Sequence, residues 1–190
     1  MSVAKGTGMR IDAAQVTVVR TRWTDCVGVT TAFEEDQQVD LLDPQVLDTP
    51  PGAWCGLEVV TRGALAVQGT SDAGFGVDVA LGLGTLTLGS AAPFFVDSSV
   101  LALELGAPGW LDAAALGADA GDVVIGAGSP EAAALAAAAV ADAALYADDG
   151  DGEVAEDERS AGAVADGGTP IGDGGTGDDD DDDDEEDDDR

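Results

Sequence analysis

The chain has 190 residues, 39 acidic and 7 basic side chains, a net charge of −32 and no histidine. That length suits one domain of ordinary size. The charge argues against DNA, RNA and anionic membranes as partners, because Lys and Arg supply phosphate affinity, and the missing histidine removes Ser-His-Asp, Cys-His and histidine-metal chemistry.

The opening MSVAKGTGMRIDAAQ carries no charged-then-apolar export signal, and its first ten residues read as a loose start. Val16 to Trp23, VTVVRTRW, is rich in β-branched residues and predicts a strand. Cys26 to Phe33 predicts a second strand, Glu34-Glu35-Asp36 an acidic connector, and Val39–Leu42 a short apolar piece. Asp43-Pro44 suits the start of one helical turn, DPQVL. Thr49-Pro50-Pro51-Gly52 is a break, after which Trp54–Val60 and Ala64–Gln68 predict a hairpin around Thr61-Arg62-Gly63.

Past the turn cluster GTSDAG, Val77, Val79, Leu81 and Leu83 alternate with small or polar residues, the period of a half-buried strand. Beyond Gly84 the apolar parity flips to Leu86 and Leu88, which predicts a bulge or tight corner. Phe94-Phe95-Val96, Val100–Leu105 and Val123–Ile125 predict further strands, and Leu111–Leu116 a short helix. The stretch Leu116 to Val124, LGADAGDVV, resembles the turn into a strand found in several small β-barrels, double-psi barrels among them. That resemblance implies a β element after 121.

Gly126-Ala127-Gly128 follows the last strand and precedes a long alanine-rich stretch. A dinucleotide cradle needs a third glycine at position 131, where close packing and pyrophosphate are required. Glu131 stands there and adds negative charge at the helix end that would receive phosphate. The local reading is stronger: Ser129 as N-cap, Pro130 at the first helical position, Glu131 at the positive helix end. The helix is expected over about 130–147, with one face on the sheet and another meeting a second copy or a protein partner. Its apolar run Ala132–Ala141 is well short of the ~20 residues of a membrane span.

About eight short strands without alternating helices favour a mainly β domain, an antiparallel sandwich or barrel, over residues 1–149. One C-terminal helix closes it, with an α+β arrangement as the alternative. Residues 150–190, almost devoid of bulky apolar side chains, predict a disordered acidic tail.

Few positions suggest chemistry. Arg20 and Arg22 lie two apart in one strand and so share a face. Two readings stand: ion pairs on an outer sheet face, or a small anion or partner site that Arg62 joins if its strand is a neighbour. Cys26 and Cys55 read as two small buried hydrophobes. A bridge between them is the alternative and would add ~3–4 kcal/mol in the chain-entropy model. No metal site or cofactor motif is evident; the acids at 34–43 lack calcium-loop spacing.

Residues 1–149 alone carry 20 acids and 5 bases, near −15, so the final acidic run does not explain the imbalance. Self-repulsion of that size costs stability at ordinary salt and fades at molar salt. Acidic surfaces with a single lysine resemble proteins of salt-accumulating halophiles. The expected function is therefore a non-enzymatic structural or protein-interaction component in a halophile-type cytosol, or a component of a virion. A small carboxylate-based enzyme or anion-binding domain using Arg20 and Arg22 is the first alternative. An acidic decoy acting through the tail is the second.

Overall fold

The computed structural model describes residues 2–3, 8–42, 49–96, 100–105, 111–112, 115–148 and 154–168. The fold is mainly β, a curled and largely antiparallel sheet with few helices. In chain order the elements are β1 (Ser2–Val3), β2 (Met9–Thr24), β3 (Thr30–Asp40), β4 (Gly52–Ser71), β5 (Gly76–Leu81), β6 (Thr85–Val96), β7 (Val100–Leu105), β8 (Val123–Ile125), α1 (Pro130–Ala141), β9 (Ala144–Asp148), α2 (Glu156–Ala161) and β10 (Ala165–Asp166). The strand path is β1-β7-β9-β10-β6-β4-β2-β3, with β5 on β4 and β8 on β5. Two neighbour pairs are parallel, β1 with β7 and β5 with β8.

The frame is the long pair β2 and β4, antiparallel from Met9–Ser71 to Thr24–Gly56. Three register shifts interrupt that ladder. Each such irregularity bends and twists a strand, and together they curl the sheet. They also explain why the buried side chains of β2 change parity, from Ala14, Val16 and Val18 to Thr21 and Trp23. Along the other edge of β4, β6 pairs with residues 52–60 and β5 with residues 65–70, so those two strands lie end to end. The corner between them is Gly84, at φ 67°, in the left-handed region that glycine tolerates best. This is the corner expected from the flip of Leu83 to Leu86, and it keeps Leu81, Leu86 and Leu88 all fully buried.

Several expectations are corrected. Thr61-Arg62-Gly63 is not a hairpin turn: β4 runs straight through it, with Gly63 at φ 77°. The ladder to β2 resumes on either side of it, from Thr17–Arg62 to Gln15–Ala66, and the extra residues at 63–65 are absorbed as an irregularity within one strand. Cys26–Val29 is the β2–β3 turn rather than the start of a strand; Asp25 Oδ1 accepts from the amides of Val27 and Val29. Glu34-Glu35-Asp36 is no connector but the middle of β3, and Val39 belongs to the same strand. Acidic residues are poor strand formers in isolation, yet here they face basic and hydroxyl side chains across the ladder.

The alanine helix starts as expected. Ser129 Oγ accepts from the amide of Ala132 at 3.0 Å, with Pro130 following. Ser129→Ala is expected to cost about 1 kcal/mol, read as a lower denaturation midpoint with an unchanged slope. The helix ends at Ala141 instead of about 147, and Ala144–Asp148 forms β9. Alanine propensity is worth only tenths of a kcal/mol per residue. Pairing with β7 and burial of Ala143 and Leu145 outweigh it. Ala132, Ala136 and Ala139, on one helical face, are buried and the helix lies on β5.

The expected tail from 150 does not hold for 154–168. Val154 and Ala165 are buried, and β10 pairs with both β9 and β6. Small side chains sufficed there because the ladder, not apolar bulk, holds the segment. Residues 115–119 form turns, and Leu116 donates to the carbonyl of Asp112 at 2.9 Å. The helical turn expected at 43–47, positions 113–114 of the Leu111–Leu116 helix, and the tail beyond 168 lie outside the described residues.

One core joins all these layers. Leu65, Leu81, Leu86, Leu88, Leu105 and Leu145 are fully or almost fully buried in it. Burying a leucine side chain contributes roughly 1.5–3 kcal/mol.

Candidate functional site

The three arginines singled out in the sequence meet on the outer face of β3-β2-β4. Arg20 and Arg22 are exposed and alternate with buried Thr21 and Trp23, as period two requires. Arg20 Nε donates to Glu34 Oε1 of β3 at 2.8 Å. Arg22 donates to Glu58 of β4. Arg62, registered opposite Thr17 of β2, reaches across that strand to Asp36 of β3. Each guanidinium is therefore committed to a carboxylate of another strand. The pairs are mostly solvent-exposed, and such pairs contribute about 0–1 kcal/mol each. Arg22 with Glu58 is the most enclosed of the three, the acid side chain being 17% exposed. The arrangement ties the strands together. An anion would have to displace resident carboxylates to enter.

At one end of this face Cys26 and Cys55, separated by 29 positions in sequence, form a disulfide. The reading as two unlinked cysteines is thereby corrected: the β2–β3 turn extends past the Thr24–Gly56 pair and lies against Cys55. The bridge fastens a turn whose Val27 and Val29 are exposed at 78% and 61%. Phe95, opposite Ala53 on β6, is also exposed. Near the bridge in sequence, Trp23 packs against Trp54 and Phe94, with ring centroids 6.0 and 6.4 Å apart. Trp54 Nε1 donates to the Pro50 carbonyl, whereas the buried Trp23 Nε1 has no hydrogen-bond partner among the described residues.

Sequence reasoning missed a second polar cluster. Glu104 of β7, 7% exposed, is registered opposite Ala144, and Tyr146 follows two residues along β9 on the same face. Arg159 of α2 closes over it, donating from Nη2 to Glu104 Oε2 at 2.6 Å and from Nε to Oε1 at 3.4 Å. Glu104's hydrogen bonds hold Arg159 still further toward its charged form. Burial first, and the Glu104 charge second, raise the Tyr146 phenol above its usual range. The sign is definite: the unfolded chain ionises this phenol before the folded one, so its contribution is intact below pH ~10 and is lost as pH rises through the folded value. Tyr146 is the sole tyrosine. Glu104→Gln is expected to shift its phenolate absorbance titration to lower pH. An unchanged curve would show that Glu104 does not act on it.

Elsewhere, Arg10 and then Thr70 hold the exposed Asp12 carboxyl below the usual range by hydrogen bonding. A shallow depression of about 270 Å³ lies over β4, β5 and β8, lined by Gln68, Asp78, Asp122 and apolar or glycine positions. It contains none of the arginines. Asp122 there accepts from the amide of Gly76 at 2.7 Å, a structural bond. Among the described residues no group of three His, Cys, Asp or Glu is placed to hold a metal ion, and no helix is long and apolar enough to cross a membrane. Compared with protein-family models, curated proteins and solved structures, the chain matches none.

Proposed function

We propose that the chain is a non-enzymatic structural or protein-interaction component adapted to high salt. The observation that carries this reading is the outer face of β3-β2-β4, where the scarce arginines are spent on neighbouring carboxylates rather than gathered around a cavity. A ligand-binding domain usually offers a pocket with a few convergent polar groups. The shallow depression on β5 and β8 has no cation to offer an anionic ligand.

The surface left for contact is apolar in two places. Ala133, Ala134, Ala137 and Ala141 are exposed along α1, the helix expected to meet a second copy or partner. Val27, Val29 and Phe95 are exposed at the disulfide end. Disulfides persist in oxidising surroundings and are rare in reducing cytosol. The bridge therefore supports a place in a cell-surface or virion assembly over the halophile-type cytosol.

Phosphate titration at fixed ionic strength, followed by calorimetry and by backbone amide shifts of β2 and β3, tests the reading. No saturable binding is expected. Saturable binding lost on Arg20→Gln would favour the anion-binding alternative instead.

A further inference from the structure

The strand path narrows at one point. Between β9 and β6 it passes through β10, which has only two residues. β10 makes two registered pairs with β9, at Ala165–Leu145 and Asp166–Ala144, and one with β6, at Asp166–Gly89. By contrast β7–β9 has five pairs and β4–β6 eight. Among the described residues β10 is the ladder's sole link between β1-β7-β9 and β6-β4-β2-β3.

The segment carrying β10 is fastened at few points. Val154 and Ala165 are its buried apolar side chains, and most of 155–162 is exposed. Arg159 clips it to Glu104. The amides of Val164 and Gly167 donate to the carbonyls of Leu145 and Ala143 at 2.7 and 2.8 Å. The end of α1 crowds the segment just after β10: a Cβ on Gly167 would collide with the Val140 carbonyl oxygen, whereas one on Gly168 would reach only ordinary contact with Asp166. The segment thus needs glycine at 167 and carries the small, buried Ala165 in the ladder.

We propose that the slot between β9 and β6 is a strand-acceptor site, filled here by the chain's own β10, and that a second copy fills it with the same segment in concentrated solution. The occupant is argued from the slot itself, because an identical segment makes identical contacts and exchange conserves them all. Backbone hydrogen bonds supply the affinity, as in other strand additions. Elements held by few buried contacts open at low free-energy cost. Acidic chains repel at low ionic strength, so exchange belongs to molar salt. The inference rests on sheet topology and is independent of the role proposed above.

Two full-length variants test it, Ala144→Cys and Asp166→Cys, whose positions face each other across the β9–β10 ladder. Directly opposed strand residues lie within the Cα range of a disulfide. The two are mixed in molar KCl, concentrated, diluted and oxidised. A cross-linked heterodimer that increases with protein concentration is expected. It should vanish when Gly167→Ala is added to the Asp166→Cys chain and persist with Gly168→Ala. The double variant in one chain should cross-link internally. An internal cross-link in the double variant, with no heterodimer at any concentration, would overturn the proposal; so would a heterodimer insensitive to Gly167→Ala.

Discussion

Reduction of the Cys26–Cys55 bridge is expected to lower stability by ~3–4 kcal/mol, among the largest single-site effects in this molecule. The bridge closes a loop with a sequence separation of 29, and in the chain-entropy model that constraint acts on the unfolded state. A native contribution adds to it. The bridge holds the β2–β3 turn beside the Trp23, Trp54 and Phe94 cluster. Cys26 is half-buried and Cys55 buried, so a reductant reaches the bond from the turn side. Cys26→Ser with Cys55→Ala should reproduce the loss in the absence of reductant. Urea denaturation of the oxidised, reduced and doubly substituted chains checks this. Equal midpoints would mean that the bridge contributes nothing.

The second large effect is that of salt. The net charge of −32 is spread through the chain, with about half of it before residue 150. Five ion pairs among the described residues oppose that repulsion, and four of them are substantially exposed or contain an exposed arginine beside a partly covered acid. Exposed pairs contribute about 0–1 kcal/mol each and weaken as salt rises. The fifth, Arg159 with the enclosed Glu104, is less sensitive. Repulsion among dozens of carboxylates outweighs a handful of weak attractions, so screening is expected to stabilise the fold on balance. The Debye length falls from about 10 Å at 0.1 M to about 3 Å at 1 M, which removes most of the unfavourable term. A chain dominated by its salt bridges would respond in the opposite direction.

Much of the strand framework was legible because burial on one side leaves period two in the sequence. Val77, Val79 and Leu81 show it, and the flip to Leu86 and Leu88 marks the corner at Gly84. The start of α1 was legible because Ser129, Pro130 and Glu131 each satisfy a local requirement of a helix N-terminus. What was hidden depends on distant partners. Ala144–Asp148 has helical composition and becomes a strand because β7 offers it an edge. Glu34, Glu35 and Asp36 resemble a loop until Arg20, Thr21 and Arg62 are placed across the ladder. Thr61-Arg62-Gly63 has turn chemistry but lies inside a strand that β2 pairs on both sides of it.

The same division applies to the candidate site. The shared face of Arg20 and Arg22 follows from their spacing, whereas Arg62 joins them only because β4 neighbours β2. The Glu104, Arg159 and Tyr146 cluster joins residues as much as 55 positions apart, and two of them lie in segments whose composition suggested helix and tail. No local pattern links them.

The central claim is that the acidic surface makes folding depend on salt, and thermal and urea unfolding of the intact, oxidised chain across a KCl series from dilute buffer to several molar tests it most directly. Circular dichroism should report a β signal that is weak or lost in dilute buffer, with a midpoint that climbs steadily as KCl rises. Full folding in dilute buffer, with a midpoint that stays flat or falls as KCl is added, would contradict the claim.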